Sequence, residues 1–218
     1  MRALPSEQAH LARERERICK ALVEVVAEHG YGQTDLEALL EHAALDQEAF
    51  DQHFSGLDDC FRQLWEDLKQ EFLQRTADAY MAPGNWRDGI RAASWTYCRF
   101  LQEDPDRARF FLIEFTFAGE AVQASSHVVV NRFIELVHLG RYECTGAAAI
   151  PRTHAEAILG AIWMRVAAMV KAGAFAELPE QVPQLMYLNV MPYLGPEAAE
   201  EELRRGPADI ASYMRGEL

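Results

Sequence analysis

Lysine and arginine are absent from residues 21–61, and the same stretch holds ten acids: Glu24, Glu28, Asp35, Glu37, Glu41, Asp46, Glu48, Asp51, Asp58 and Asp59. Duplex DNA is a dense line of negative charge, and proteins hold it largely with cations that release its counterions. This stretch by itself offers none. Cysteine is also scarce. Cys19, Cys60, Cys98 and Cys144 lie far apart and form no Cys-x-x-Cys pair, so each reads as a small buried hydrophobe rather than a bridge or a metal ligand. The histidines show no metal-ligand spacing, and neither a metal nor a cofactor is expected. The longest strongly apolar run, residues 157–164, stops at Arg165 and is too short to span a bilayer. The first twenty residues are polar and charged, unlike a signal peptide. A soluble, cytoplasmic protein without membrane contact is expected. No Gly-x-Ser-x-Gly, phosphate loop, dinucleotide fingerprint or His-Glu-x-x-His occurs, so nothing in the chain points to an enzyme.

What is present is a chain of 218 residues, half of them apolar and a quarter charged, with a formal net charge of −13. A sizeable core is within reach. The negative charge argues against a general nucleic-acid or anionic-membrane binder. It is concentrated at the front: residues 1–60 carry five basic and thirteen acidic residues, residues 61–218 sixteen and twenty-one.

The front also has a recognisable rhythm. A helix over residues 9–29 carries Ile18, Leu22, Val25 and Val26 on one face and stops at Gly30. Residues 1–8 read as a loose arm. A short helix begins near Asp35 with Leu36, Leu39 and Leu40. Ala43-Ala44-Leu45 makes a turn, and a second short helix runs from about Asp46 to Gln52, pinned by Phe50 and Phe54. Asp46 suits an N-cap. Gly30-Tyr31, Thr34-Asp35, the turn Ala43-Ala44-Leu45-Asp46 and the run from Glu48 to His53-Phe54 together resemble the helix-turn-helix head of the TetR family of one-component transcriptional repressors. Ala44 stands where that family often has a turn glycine with positive φ. Asp51 and Leu57 stand where it usually has Tyr and Lys on phosphate.

The resemblance implies an all-α fold, with a three-helix head over residues 1–56 and a ligand-binding and dimerisation body over 57–218. Residues 57–81 would form the connecting helix between them. It also implies a DNA-facing set: Arg13, Arg15 and Arg17 near the backbone, and Gln33, Thr34, Gln47, Glu48, Gln52 and His53 toward the groove. The residues themselves allow a plainer reading, with Arg13, Arg15, Arg17 and Lys20 in an i, i+4 ladder with Glu14, Glu16 and Glu24, and His53 and Phe54 as frame.

Beyond residue 57 the pattern is helical throughout. Helices are expected over 57–81, 86–103, 105–117, 119–143 and 154–172. A further helix follows Pro179 and Pro183 and ends near Pro192-Tyr193-Leu194-Gly195, with a polar, acidic tail from Pro196 that has room for one or two short helices. The Val128-Val129-Val130 run is a poor helix former. Residues 155–170 are apolar nearly all round, with small residues at Gly160, Ala161, Ala167 and Ala168, and such a helix needs burial on every side. A partner helix is implied. The ending Leu178-Pro179 to Gly195 resembles the last helices of many TetR-type bodies, which form a four-helix dimer interface. Leu159, Gly160, Trp163, Ala167, Met186 and Val190 are the interface candidates, in a homodimer.

Trp65, Trp95, Tyr97, Phe111, Phe115 and Trp163, with Phe100 and Phe117, sit on helices that should pack together, and His127, Ser125 and Ser126 are polar neighbours. They read either as core or as the wall of a pocket for a small apolar or aromatic ligand. Two functions remain open. One is a dimeric regulator whose DNA operator binding shifts with ligand, which the frame favours. The other is a TetR-like ligand- or protein-binding module whose head does not bind DNA by itself, which the charge of residues 21–61 favours.

Overall fold

The computed structural model describes residues 5–205, and among them the fold is all-α, with no strand. Helix α1 spans Pro5–His29, α2 Leu36–Ala43 and α3 Gln47–Asp51. The long α4 spans Leu57–Met81, α5 Trp86–Glu103 and α6 Pro105–Leu112. Then come α7 (Glu120–His138), the single turn α8 (Gly140–Glu143), α9 (Arg152–Ala172) and α10 (Val182–Arg204).

The starts are written in side chains. Asp35 Oδ1 accepts from the Ala38 amide at 2.8 Å, Asp46 Oδ1 from the Ala49 amide at 2.8 Å, and Asn85 Oδ1 from the Asp88 amide at 3.0 Å. Asp104 caps α6, with Pro105 in its first turn. Gly173 closes α9 in the left-handed region. In the front, Ile18, Leu22 and Val26 of α1 bury against Leu39, Phe50 and Phe54, whose two rings lie 5.5 Å apart. Cys60, Phe61, Leu64, Trp65, Leu68 and Phe72 form the buried stripe of α4, which packs mainly on α5. All four cysteines are free and buried, and burial raises each thiol above its ordinary pKa. They are packing residues.

Four boundaries differ from expectation, each for a local reason. Helix α1 starts at Pro5, a residue whose missing amide hydrogen costs nothing in a first turn, so residues 5–8 of the expected arm are helical; residues 1–4 lie outside the described residues. Helix α6 stops at Leu112 and a 3₁₀ turn over Glu114–Phe117 follows. Helix α7 stops at His138, because the chain must turn to lay Gly140 against the Trp86 ring. The acidic tail is helical through Arg204: the chain kinks at Gly195 (φ 84°) and resumes. That last segment is held to α5 by Arg87 and Arg91, which both ion-pair with the fully buried Glu202, while Arg205 pairs with Asp88 at 3.0 Å. The rest of the expected tail, 206–218, lies outside the described residues. The valine run stays helical because Val129 faces the interior, so packing overrides propensity.

Two substitutions test this packing. A Cβ at Gly140 would sit 2.6 Å from two atoms of the Trp86 ring, whose Nε1 donates to Leu136 O at 3.0 Å. Gly140→Ala is expected to destabilise the fold by about 1–3 kcal/mol, read as a lower urea midpoint. Ala44 occupies the left-handed region at φ 50°, ψ 50°. Ala44→Gly relieves that strain against a looser unfolded chain, for a net gain of about 0.5–1 kcal/mol in the same measurement.

Candidate ligand cavity and recognition surface

A cavity of about 610 Å³ opens inside the bundle, walled by α4, α5, α6, α7, α9 and α10. Phe72, Phe111 and Phe133 form one side. Phe72 stacks on Phe133 with centroids 5.5 Å apart and meets the edge of Phe111 at 5.3 Å. Five ligand candidates line it: Tyr97, Phe111, Phe115, His127 and Trp163, with Ser126 beside them. His127 and Trp163 are exposed at its rim. Tyr97 is partly open although burial pushes its hydroxyl pKa well up, because its opening faces the cavity rather than bulk solvent.

Trp65 and Trp95 do not line the cavity. Trp65 is buried behind the wall, stacked on Phe111 at 5.4 Å, with Nε1 donating to Phe111 O at 3.2 Å. It supports the wall instead of forming it. Trp95 lies under the Arg99 guanidinium, 5.6 Å from its ring centre. Phe100 is buried in the core, Phe117 is exposed, and Ser125 is tied to Lys69 and Glu66 of α4.

Two contributors were missed. Asn189 lines the cavity from α10 with its side chain buried. Its Nδ2 donates to Leu185 O at 2.9 Å, and its Oδ1 has no partner among the described residues. The signal was present in the sequence, as a lone amide within the apolar run 185–191. Glu114 had no such signal. Its Oε2 accepts from the Tyr31 amide at 2.9 Å, across eighty-three residues of chain.

The front of the molecule divides the expected DNA-facing set. Arg13, Gln33, Gln47, Glu48 and Gln52 are exposed, with Gln47 donating to Asp51 at 2.7 Å. Thr34 is buried, and its hydroxyl donates to Gly30 O at 3.0 Å. His53 is turned inward between α3 and α1, its Nε2 3.6 Å from Glu14 Oε2. Neither faces outward, because both fill the angle between α1 and the following helices. Arg15 ion-pairs with Asp67 of α4 at 2.7 Å, and its guanidinium lies 5.7 Å from the Phe54 ring centre. Arg17 Nη2 donates to both Ala43 O and Ala44 O at 2.8 Å, closing the end of α2. Of the expected ladder along α1 the rung Lys20–Glu24 is present at 3.7 Å, while Arg15 and Arg17 turn to these other partners. The acids Glu28, Asp35, Glu37, Glu41, Asp46, Glu48, Asp51 and Asp58 are all exposed.

The expected interface set is divided too. Ala167, Met186 and Val190 point into the core of a single protomer, and Leu159 lines the cavity. Gly160 and Trp163 face outward. The outward apolar face of α9 and α10 is made by Trp163, Met164, Leu188 and Leu194, with Met164 68% exposed. No helix among the described residues is long and apolar enough to cross a membrane.

No protein-family model and no curated protein sequence matches the chain. Solved structures do. The fatty acid degradation regulator FadR of Bacillus halodurans superposes with a TM-score of 0.72 at 17% identity, over 87% of this chain and 96% of that one. FadR of Bacillus subtilis, solved in complex with stearoyl-CoA, gives 0.69 at 15% identity, over 83% and 98%. A TetR-like transcriptional regulator from Rhodococcus sp. RHA1 gives 0.68 at 22% identity, over 82% and 94%. The helical architecture of this chain is thus that of the TetR-type transcriptional regulators.

Proposed function

We propose that the chain is a ligand-controlled transcriptional regulator of TetR type. In this reading residues 1–56 act as the operator-binding head, and residues 57–218 as a body that takes a small apolar ligand and pairs with a second copy. The observation that carries it is the short segment around Phe111. On one side, Phe111 and Phe115 line the cavity. On the other, Glu114 holds the Tyr31 amide, and Phe110 packs on Phe61, 4.2 Å between centres, which packs on Tyr31 at 4.3 Å. Tyr31 is clamped again by its hydroxyl, which donates to Asp58, and burial followed by that bond raises its pKa. A ligand that pushes on Phe111 or Phe115 therefore pushes on the residue that starts the helix-turn-helix. Ligand shifts the head only by its differential affinity for two arrangements of this segment. The outward face of Trp163, Met164, Leu188 and Leu194 suits a homodimer, since exposed apolar patches of this kind mark interaction sites.

The head's chemistry supports a second reading, a regulator that works through a protein partner. Arg15 and Arg17 are committed to partners within the chain, and Leu36 and Leu40 line a surface depression rimmed by Glu37, Glu41 and Gln47. A basic partner would suit that face.

Fluorescence anisotropy of the full chain against pooled genomic DNA fragments separates the two. Specific binding that persists at moderate salt is the expected result for an operator reader. Absence of binding at low salt, the most lenient condition for phosphate contacts, would hand the head to a protein partner. The clamp has its own test. In Glu114→Ala, amide hydrogen exchange over residues 30–54 is expected to quicken about tenfold, matching the loss of about 1.4 kcal/mol from one charge-assisted bond. Unchanged exchange would remove the proposed link between cavity and head.

A further inference from the structure

We infer that the cavity selects an uncharged amphiphile, an alkyl or aromatic molecule bearing one hydroxyl or N–H donor, and discriminates against fatty acids and other anions. The inference rests on the reading of the cavity as a ligand site and narrows the class of ligand.

The wall is apolar on most sides, and no lysine or arginine lines it among the described residues. A carboxylate or phosphate carried into such a place would lose its hydration without gaining a counter-charge, a cost of several kcal/mol or more. The rim adds to this. Glu156 lines the opening, and its paired cation, Arg152, is shared between Glu156 at 3.2 Å and Glu135. An arriving anion meets fixed negative charge before it meets the wall.

Part of the wall's polar chemistry is spent within the protein, while Tyr97 keeps an opening on the cavity. Gln123 donates to Thr116 O and Ala118 O, and Ser126 donates to Gln123 O. Asn189 is different. Its Nδ2 bond to Leu185 O fixes the orientation of the amide, so the group left over is an acceptor, Oδ1, buried and unpartnered. A buried acceptor without a donor is costly, and a donor supplied by a ligand recovers that cost. The match is to a ligand O–H or N–H. An ether or ketone offers only a second acceptor, and a carboxylate adds charge as well.

The test uses Nile red, an uncharged apolar dye, with the full chain. Its fluorescence titration first reports whether the cavity takes an apolar guest. Displacement by 1-decanol, by decyl methyl ether and by decanoate at pH 8 then compares a donor, no donor and an anion on one alkyl chain. In the wild-type protein 1-decanol is expected to displace the dye at about tenfold lower concentration than either of the others, the size of one buried hydrogen bond. In Asn189→Leu the alcohol is expected to fall to within about twofold of the ether, each displacement being scaled to the dye affinity of that variant. Dye binding with equal displacement by alcohol and ether, or by alcohol and decanoate, in the wild-type protein overturns this inference and leaves the ligand site standing. No dye binding by the folded chain overturns both. The wild-type comparison decides the matter even where the Asn189 variant does not fold.

Discussion

Phe72 sits where the fold is decided. It is buried at the middle of α4, and around it gather Tyr97 and Phe100 from α5, Phe111 from α6 and Phe133 from α7, with ring centres 5.1–5.7 Å away. Rings prefer tilted and offset contacts to close stacking, and a set of five such rings on four helices cannot fill space as branched aliphatic side chains would. The gap beside them is closed from the far side by α9 and α10, with Leu159, Ile162, Trp163, Leu185 and Asn189 among the lining. The cavity is therefore a consequence of how the core is built. Phe110, beside Phe111 in the chain, packs on Phe61 and Phe61 on Tyr31, so the segment that walls the pocket also seats the front of the chain.

Electrostatics divides the molecule differently from packing. The body keeps its ions in matched sets. Arg75 is shared by Glu71 and Glu103, which raises the arginine's pKa and lowers that of Glu103, and Arg87, Arg91 and Arg205 surround Glu202. The buried Glu202 cluster is less a source of net stability than a means of fixing where the end of α10 lies, since its desolvation cost offsets much of its attraction. The front has no such balance. Its acids face water in excess, and its inner arginines are drawn toward carbonyls and toward α4.

The helices were legible because each carried its own punctuation. Asp35, Asp46, Asn85, Asp104-Pro105 and Gly173 are local signals, and the described helices begin or end on them. The all-α architecture followed from those signals and from the resemblance in the front. What was not legible depended on partners distant in sequence. The continuation of α10 past Pro196 depends on Arg87 and Arg91, more than a hundred residues earlier. The ending of α7 depends on Trp86 needing a glycine beneath it. The aromatic roll was half informative: spacing placed Tyr97, Phe111 and Phe115 on an inner face, but period alone does not separate a wall from its backing, and Trp65 became the backing. The outward helix candidates failed for the same reason. A helix apolar all round does not say which side its own protomer takes, and Ala167, Met186 and Val190 were taken inward.

Arg17 gives the turn of the helix-turn-helix an unusual dependence. The two carbonyls it binds belong to Ala43 and Ala44, and Ala44 is the one non-glycine residue with positive φ among those described. The guanidinium thus stabilises a strained corner between α2 and α3. A phosphate and that corner would compete for one cation. Under the operator-binding proposal, a nucleic acid that recruited Arg17 would loosen the end of α2 as it bound, so association would carry a local unfolding step.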